Sequence, residues 1–392
     1  MIMIMTKILI LDANQRSALA ATRSLGSADN TFICCADTST KSLAGSSRYC
    51  QQYHQSPSPK TAPQQFMAWL VALIDAEAIT HLFPMTEITS QLLLLNREQL
   101  GDCILPFANL ATVMSLANKA ELTQLADKLD IPYPSTHHYK EASALAPNNI
   151  SHYPIVLKPA LSHIWLHSHW LSTSVKIINS ANQLEQALTL PDFADHPFMQ
   201  QAFIPGHGAG VFAIYNQGVA VAFFAHERLR EKPPGGGVSV LSRSVTPNPQ
   251  LLAMSKRLLD SVNWHGVAMV EYRIAEDGTP YLMEVNTRFW GSLQLAIDAG
   301  VDFPKLLLQI ANNEAITPIE NYTINQRLRW LLGDLDSLYI YLKDQRYTAT
   351  QKIKRCFAFI TPSANTRHEV NRFGDLGPTW FELKAYIKAL RG

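Results

Sequence analysis

Apolar and polar positions in the first part of the chain alternate between two periods. Runs of β-branched and apolar residues predict strands over 6–11, 31–37, 81–85 and 103–107, and apolar residues at helical spacing predict helices over 17–25, 64–78 and 87–100. Strands that alternate with helices indicate a parallel sheet covered on both faces. We therefore predict an α/β domain with an open parallel sheet over residues 1–112.

The pattern changes in the middle of the chain. After a helix predicted over 118–130, strands follow one another with turns between them, and they are predicted over 153–159, 174–179, 198–204, 211–215 and 219–230. A helix predicted over 250–261 and two further apolar runs complete this region. Such a pattern is typical of antiparallel sheets in an α+β arrangement. From residue 313 onward the chain is predicted to be mostly helical.

Length and composition narrow the class of protein. The 392 residues indicate two to three domains, and 47% hydrophobic against 17% charged residues excludes a disordered tail protein. Lys and Arg number 33 and Asp and Glu number 32, so the charge balance favours a small-molecule ligand over nucleic acid or an anionic membrane. The five cysteines form no C-x-x-C pair, and no apolar segment reaches the ~20 residues of a membrane span. We expect a soluble protein of the reducing cytoplasm.

The turn after the first predicted strand argues against a dinucleotide cofactor. Residues 12–17 (DANQRS) contain no glycine. A dinucleotide-binding turn needs glycines so that the backbone can approach the pyrophosphate. An NAD-dependent enzyme is therefore disfavoured.

Two acidic side chains are predicted to face each other on a β-hairpin. The apolar runs 267–274 and 280–288 flank residues 275–279, and Asp-Gly at 277–278 is a strong signal for a two-residue type I′ turn. This register places Glu271 directly across from Glu284. Because side chains alternate between faces, Asn286 is expected on the same face beside them.

A divalent cation would explain this arrangement. Like charges directly opposed destabilise a strand pair by roughly 0.2–1 kcal/mol, and Mg²⁺ takes oxygen ligands from one or two carboxylates together with ligand phosphates. Glu271, Glu284 and Asn286 are therefore candidate metal ligands, and Arg288 lies farther along the same face, where it could meet a phosphate. A hairpin edge exposed to water, or a register slipped by one residue, remains the alternative.

Other polar residues stand at the ends of predicted elements. Lys158 ends the strand at 153–159, and Lys119 opens the helix at 118–130, where an anion would offset its unfavourable position. Arg228 and Arg230 lie two apart on one predicted strand before the glycine loop at 233–237 and suit a carboxylate or phosphate. Each of these residues could equally belong to a solvated strand end or surface.

Taken in chain order, these motifs resemble the ATP-grasp superfamily of carboxylate–amine ligases, including the proteins related to the large subunit of carbamoyl phosphate synthase. The resemblance rests on Asn118-Lys119, residues 131–136 (IPYPST), residues 155–159 (IVLKP), the segment 201–206, Glu271, and residues 284–292 (EVNTRFWGS). It implies a Rossmann-like α/β domain at 1–112, an ATP-grasp domain at 113–312 with antiparallel sheets and a smaller lid subdomain at about 140–205, and a mostly helical appendage at 313–392.

The resemblance also implies roles for the candidate residues. Glu271, Glu284 and Asn286 would hold Mg²⁺, for which Mn²⁺ could substitute, on the phosphates of ATP, and Lys119 and Lys158 would contact those phosphates. Adenine would meet the backbone of the segment comprising Gln200, Gln201, Ala202, Phe203 and Ile204. Arg288 would stabilise the transferred phosphoryl group. Arg228 and Arg230, which by their own chemistry suggest an anionic group on one substrate, complete the candidate catalytic residues.

The implied reaction activates a small carboxylate as an acyl phosphate, which an amine then attacks, with ADP and phosphate released. A carboxylate kinase or carboxylase using the same intermediate, and a catalytically decayed ATP-binding regulatory or scaffold protein, are the alternatives. Residues 160–170 (ALSHIWLHSHW) stand where relatives carry a glycine-rich loop. A homodimer is one option for the oligomeric state, which the sequence does not decide.

Overall fold

An open parallel sheet forms the N-terminal part of the protein, as predicted. The computed structural model describes residues 5–146, 150–361 and 363–391. The elements are β1 Thr6–Ile10, α1 Arg16–Leu25, β2 Thr31–Asp37, β3 Gln52–Gln55, α2 Pro63–Glu77, β4 His81–Phe83 and α3 Glu87–Leu95. The strand order is β3-β2-β1-β4, with all pairs parallel. The strand predicted over 103–107 is reduced to a single bridge between Ile104 and His81.

A small antiparallel sheet follows the first domain. The sheet and the elements around it are α4 Leu110–Ala117, α5 Lys119–Lys128, β5 Thr136–Tyr139, β6 Ile155–Pro159, β7 His163–Trp165, β8 Trp170–Ser172, β9 Lys176–Ile178, α6 Ala181–Leu188, α7 Pro191–Ala194 and β10 Phe198–Ala202. The sheet has the order β5-β10-β6-β9, and β7 and β8 form a separate hairpin. A core of its own, which includes Leu157, Leu184 and Phe193, lies beneath this sheet.

The largest sheet has seven strands and carries the three candidate metal ligands and two of the three candidate catalytic arginines. Its region contains β11 Gly206–Asn216, β12 Val219–Lys232, β13 Val238–Val245, α8 Pro249–Ser261, β14 Gly266–Ala275, β15 Pro280–Asn286, α9 Leu293–Ala299 and α10 Phe303–Ala311. The C-terminal part adds β16 Arg327–Arg329, α11 Leu331–Lys343, α12 Ala349–Ile360, β17 Thr366–His368 and α13 Gly377–Arg391. The strand order is β15-β14-β11-β12-β13-β16-β17. Only the pair β16–β17 is parallel in this sheet.

The C-terminal tail is mostly helical, as predicted, yet it is built into the rest of the fold. It supplies β16 and β17 to the large sheet and reaches back to the first domain. The buried guanidinium of Arg23 donates to Asp375 Oδ2 at 2.8 Å and to the carbonyl of Glu369 at 2.7 Å. Burying a guanidinium is favourable only when its donors are satisfied, so these bonds tie the tail to α1.

Within the described ranges, no helix combines the length and the apolar character needed to cross a membrane.

Candidate functional site

The carboxylate hairpin has a different turn, and a different register next to that turn, from those predicted. The Ala275 N–H donates to the Thr279 carbonyl at 2.9 Å, so the turn has three residues, with Gly278 at φ 87°, and the two-residue turn was wrong. Next to the turn, Ile274 therefore pairs with Pro280, one residue off the predicted register. A bulge beyond Tyr272 then shifts the strands back, and Glu271 lies directly opposite Glu284.

Hydrogen bonds join the two carboxylates to the neighbouring side chains. Asn286 Nδ2 donates to Glu271 Oε1 at 2.9 Å and to Glu284 Oε1 at 3.4 Å. Arg288 Nη2 donates to Asn286 Oδ1 at 3.0 Å, and Arg228 Nη2 donates to Glu271 Oε2 at 3.1 Å. The structure thus brings these five residues into one cluster, which lines a cleft of about 290 Å³.

Two lysines complete the charge pattern. Lys119 is only 5% exposed, and its Nζ lies 2.9 Å from Ser162 Oγ and 3.9 Å from Glu284 Oε2. Asn118 caps the helix that Lys119 opens, since its side chain accepts from the Ala120 N–H. Lys158 lies on β6 and is 6% exposed. Both lysines are therefore held by regular elements, Lys119 by α5 and Lys158 by β6, rather than by loops.

The electrostatics of the cluster reflect burial and crowding. Burial raises the pKa of Glu271, and the nearby Glu284 carboxylate raises it further, while the positive charge of Arg228 acts in the opposite direction. Burial also lowers the pKa of Lys158 to about 8, although Glu284 favours its charged form. Without a ligand, both shifts favour the neutral forms, which are the protonated carboxyl group of Glu271 and the uncharged amine of Lys158.

Two residues near the carboxylates were not singled out by the sequence analysis, Arg16 and Glu87. Arg16 lines the cleft, as do His226 and Trp290, and Glu87 lies near Lys119, Arg288 and Glu284, where burial raises the pKa of its carboxyl group. Glu87 begins α3 directly after a strand of the parallel sheet. Ligands of open α/β sheets bind beyond the carboxyl ends of the strands, so its position after β4 was the signal available.

Arg230 does not belong to the cleft, and its prediction as a partner of Arg228 on one face was wrong. A bulge at Leu229 breaks the alternation of β12, because Arg228 pairs with Ser242 while Arg230 pairs with Leu241. Arg230 Nη1 donates instead to Asp334 Oδ2 at 2.7 Å on α11.

The segment predicted to meet adenine lies apart from the carboxylates. Gln200, Ala202 and Phe203 line a second cavity of about 610 Å³, which the carboxylate cluster does not line. The buried Gln201 side chain donates to Thr136 Oγ1 at 3.0 Å, and the Ile204 carbonyl accepts from Arg273 Nε at 3.2 Å. Two polar groups of this segment are therefore already bonded within the protein.

The histidine- and tryptophan-rich segment forms the β7–β8 hairpin. The ring centroids of Trp165 and Trp170 lie 5.0 Å apart, and the backbone N–H of Trp170 donates to the Lys60 carbonyl at 3.1 Å. Gln64 Nε2 donates to the His167 carbonyl at 3.2 Å. This hairpin therefore rests on the first domain, while Ser162 at its base contacts Lys119.

The donor set suits magnesium bound together with a phosphate ligand. No group of three or more His, Cys, Asp or Glu residues that could hold a metal occurs in the described part of the chain. Two carboxylates and one amide are nevertheless the donors with which proteins hold Mg²⁺ when phosphates and water complete the shell. Asn286 now turns its amino group toward both carboxylates, and rotating the amide would turn its oxygen toward them.

Comparisons with known proteins agree with this architecture. Residues 196–331 match the model of a family described as ATP-grasp in the biosynthetic pathway with Ter operon. These residues include Arg228, Glu271, Glu284, Asn286 and Arg288. No curated protein matches the chain.

Solved structures with similar folds include three enzymes. A biotin carboxylase from Campylobacter jejuni is 14% identical with a TM-score of 0.64, covering 82% of this chain and 74% of its own. An L-amino acid ligase from Bacillus licheniformis is 16% identical with a TM-score of 0.60, covering 80% and 78%. An N5-carboxyaminoimidazole synthetase from Staphylococcus aureus is 12% identical with a TM-score of 0.61, covering 82% and 80%. Residues 196–331 are thus similar to an ATP-grasp family, and about four fifths of the chain is similar in fold to these three enzymes.

Proposed function

We propose that the protein is an ATP-dependent ligase that activates a small carboxylate as an acyl phosphate and joins it to an amine. The observation that carries the proposal is the opposed pair Glu271 and Glu284, which shares one cleft with Asn286 and two arginines. A carboxylate pair with arginine side chains around it is better explained by a bound metal–polyphosphate complex than by a hairpin edge exposed to water. The similar fold of an L-amino acid ligase supports the choice of reaction class.

The proposed reaction has two steps that balance. A carboxylate oxygen of the first substrate attacks the γ-phosphorus of ATP, the bond from that phosphorus to the bridging oxygen breaks, and ADP leaves. The amine nitrogen then attacks the acyl carbon, the bond from that carbon to the phosphate oxygen breaks, and phosphate leaves as the nitrogen loses a proton.

Positioning and charge are what this chain would contribute. Glu271, Glu284 and Asn286 would hold Mg²⁺, which would neutralise charge on the ATP phosphates when bound. Lys119 and Lys158 would contact those phosphates from the side of the small sheet. Phosphoryl transfer depends mainly on such electrostatic positioning, so rigid elements are the appropriate support.

The arginines of the cleft would act on the reacting groups. Arg288 is held by Asn286 and by the Phe289 carbonyl, at 3.0 and 2.8 Å. It would stabilise the transferred phosphoryl group. Arg228, half-buried beside Glu271, would bind the carboxylate substrate, because a guanidinium can donate two parallel hydrogen bonds to a carboxylate.

The proposal extends to organisation and location. We assign residues 1–112 to the domain that completes the cleft, 113–312 to the ATP-grasp domain and 313–392 to the tail. A cytoplasmic location is supported by the five cysteines, all of which are free thiols.

The test is turnover of ATP by the full chain with Mg²⁺ across a panel of amino acids, other small carboxylates and amines. We expect ADP and phosphate release to depend on one carboxylate, and hydroxylamine to trap the acyl phosphate as a hydroxamate. Glu284→Gln should abolish turnover, whereas Glu276→Gln, in the exposed turn of the same hairpin, should not. Binding of ATP with no stimulated turnover would instead support a regulatory nucleotide-binding protein.

A further inference from the structure

A third cavity, which is polar, lies on another part of the large sheet, away from the carboxylate cleft. Its volume is about 430 Å³, and its lining includes Arg230, Arg327, Arg329, Thr366 and His368. None of these residues lines the cleft of Glu271 and Glu284. A cavity of this size is in the range of small-molecule sites.

The strand register explains why these side chains converge. Across four neighbouring strands, Arg230 pairs with Leu241, Leu241 with Arg329, and Arg329 with His368. Arg327, two residues before Arg329 and thus on the same face, pairs with Thr366. Because of the bulge at Leu229, Arg230 lies beside Arg329 and His368 at this cavity instead of beside Arg228 in the cleft.

Positive charge exceeds negative charge at this cavity. Asp334 is fully buried and accepts from Arg230 at 2.7 Å, from Arg329 at 2.8 Å and from Arg355 at 2.6 Å. Three guanidinium groups thus share one carboxylate, and Arg327 adds a fourth positive group. A buried excess of this kind is costly unless an anion compensates it.

Several donors at the cavity have no acceptor. Among the residues that the structure describes, Arg329 Nη2, Thr366 Oγ1 and His368 Nδ1 of the cavity lining are buried without a hydrogen-bond partner. The same holds for Nη1 of Arg355, which pairs with Asp334 behind the lining. Buried polar groups are nearly always bonded in native proteins, and each exception requires an explanation. The unbonded groups are two guanidinium N–H groups, a hydroxyl and an imidazole nitrogen that can donate in one of its tautomers.

We propose that this cavity binds a phosphate group, either free or as part of a small phosphorylated compound. A doubly charged tetrahedral anion can accept from donors on several sides and offsets an excess of positive charge, whereas a single planar carboxylate satisfies fewer of them. Arg327, Arg329, Thr366 and His368 supply the donors. The site is independent of the ligase reaction, because it uses none of the cleft residues.

The test is titration of the full chain with inorganic phosphate, glycerol phosphate and citrate, followed by calorimetry. Arg327→Gln and Thr366→Val are the variants of choice, because neither residue contacts Asp334 and the core ion pairs stay intact. Each should weaken phosphate binding, Arg327→Gln by about tenfold or more. Arg288→Gln controls for binding in the carboxylate cleft, and Arg346→Gln controls for loss of an exposed arginine, so both should retain this site.

The probes separate the two sources of phosphate. Tighter binding of glycerol phosphate assigns the site to a phosphorylated metabolite, and tighter binding of inorganic phosphate assigns it to the free ion. The proposal is overturned if neither probe binds saturably, if only citrate binds, or if Arg327→Gln and Thr366→Val both bind phosphate as the wild type does.

Discussion

Replacing Glu271 by glutamine should stabilise the ligand-free protein and remove its response to magnesium nucleotide. Glutamine has nearly the same shape, but Asn286 and Arg228 donate to different oxygens of Glu271, so the single carbonyl oxygen of glutamine can accept from only one of them. The substitution removes the negative charge that faces Glu284 together with one acceptor.

The size of the effect follows from the geometry. Directly opposed like charges cost about 0.2–1 kcal/mol, and burial adds to the cost of the Glu271 charge. Arg228 loses part of its stabilisation but keeps Glu231, whose Oε1 lies 3.6 Å from its Nη1. Because one acceptor is also lost, we expect a net gain of at most about 1 kcal/mol in the free energy of unfolding.

The pH dependence has a definite sign. The pKa of Glu271 is raised in the folded state, so the folded protein binds more protons than the unfolded chain just above the ordinary carboxyl pKa. Stability contributed by this group is therefore lost as the pH rises through that window. The advantage of Glu271→Gln should be small at low pH and grow to a plateau above the raised pKa.

Thermal and denaturant unfolding with and without MgATP make the assay. At a ligand concentration of about 100 times the dissociation constant, the wild type should gain about 2.7 kcal/mol, while Glu271→Gln gains almost nothing. Glu276→Gln, in the exposed turn of the same hairpin, is the matched control and should behave as the wild type. If Glu271→Gln is less stable than the wild type without ligand and still responds fully to MgATP, the carboxylate pair is not a metal site.

Three further predictions test separate parts of the site. Because the pKa of Lys158 is about 8, nucleotide affinity should fall between pH 7 and pH 9 as its ammonium group loses its proton, and a binding titration should show a flat profile for Lys158→Gln but not for the exposed Lys256→Gln. Arg228→Ala should raise the KM for the carboxylate substrate with a smaller change in kcat, and unchanged kinetics would reject its role in substrate binding. Gly206→Ala should lower the unfolding midpoint, since a Cβ at φ 140° would lie 1.9 Å from the Ile274 carbonyl oxygen, whereas Gly278→Asn, with open space around it, should be tolerated.

Local patterns were sufficient for the elements that lie within a short stretch of chain. The parallel domain follows from alternating strand and helix periods, and the opposed pair Glu271 and Glu284 follows from two apolar runs around one Asp-Gly turn. Two deviations within that hairpin cancel, since the three-residue turn shifts the register by one and the bulge shifts it back. The predicted pairing of Glu271 with Glu284 is therefore correct, although the turn and the register next to it were predicted wrongly.

Short and polar strands escaped the sequence analysis. Strand β3 reads QYHQ and β16 reads RLR, so neither shows an apolar run. They are strands because partners far away in the chain supply their hydrogen bonds, as β13 does for β16. Strand propensity depends on such neighbours more than on the residues themselves.

The face on which a side chain lies was also decided beyond the local pattern. Simple alternation puts Arg228 and Arg230 together, but the bulge at Leu229 sends Arg230 to Asp334, a residue 104 positions along the chain. Arg16 lines the cleft and Glu87 lies near Lys119, Arg288 and Glu284, and neither belongs to a motif that the sequence analysis used.

By itself the sequence determined the longer elements, the class of fold and the acidic pair, because side-chain periods of 2 and 3.6 residues and turn chemistry act over a few residues. Only the tertiary structure decided which charges meet across the domains, which arginine faces which cavity and where buried donors are left without acceptors. Those features depend on register, bulges and contacts between distant segments, and desolvation sets their energies only once the chain is packed.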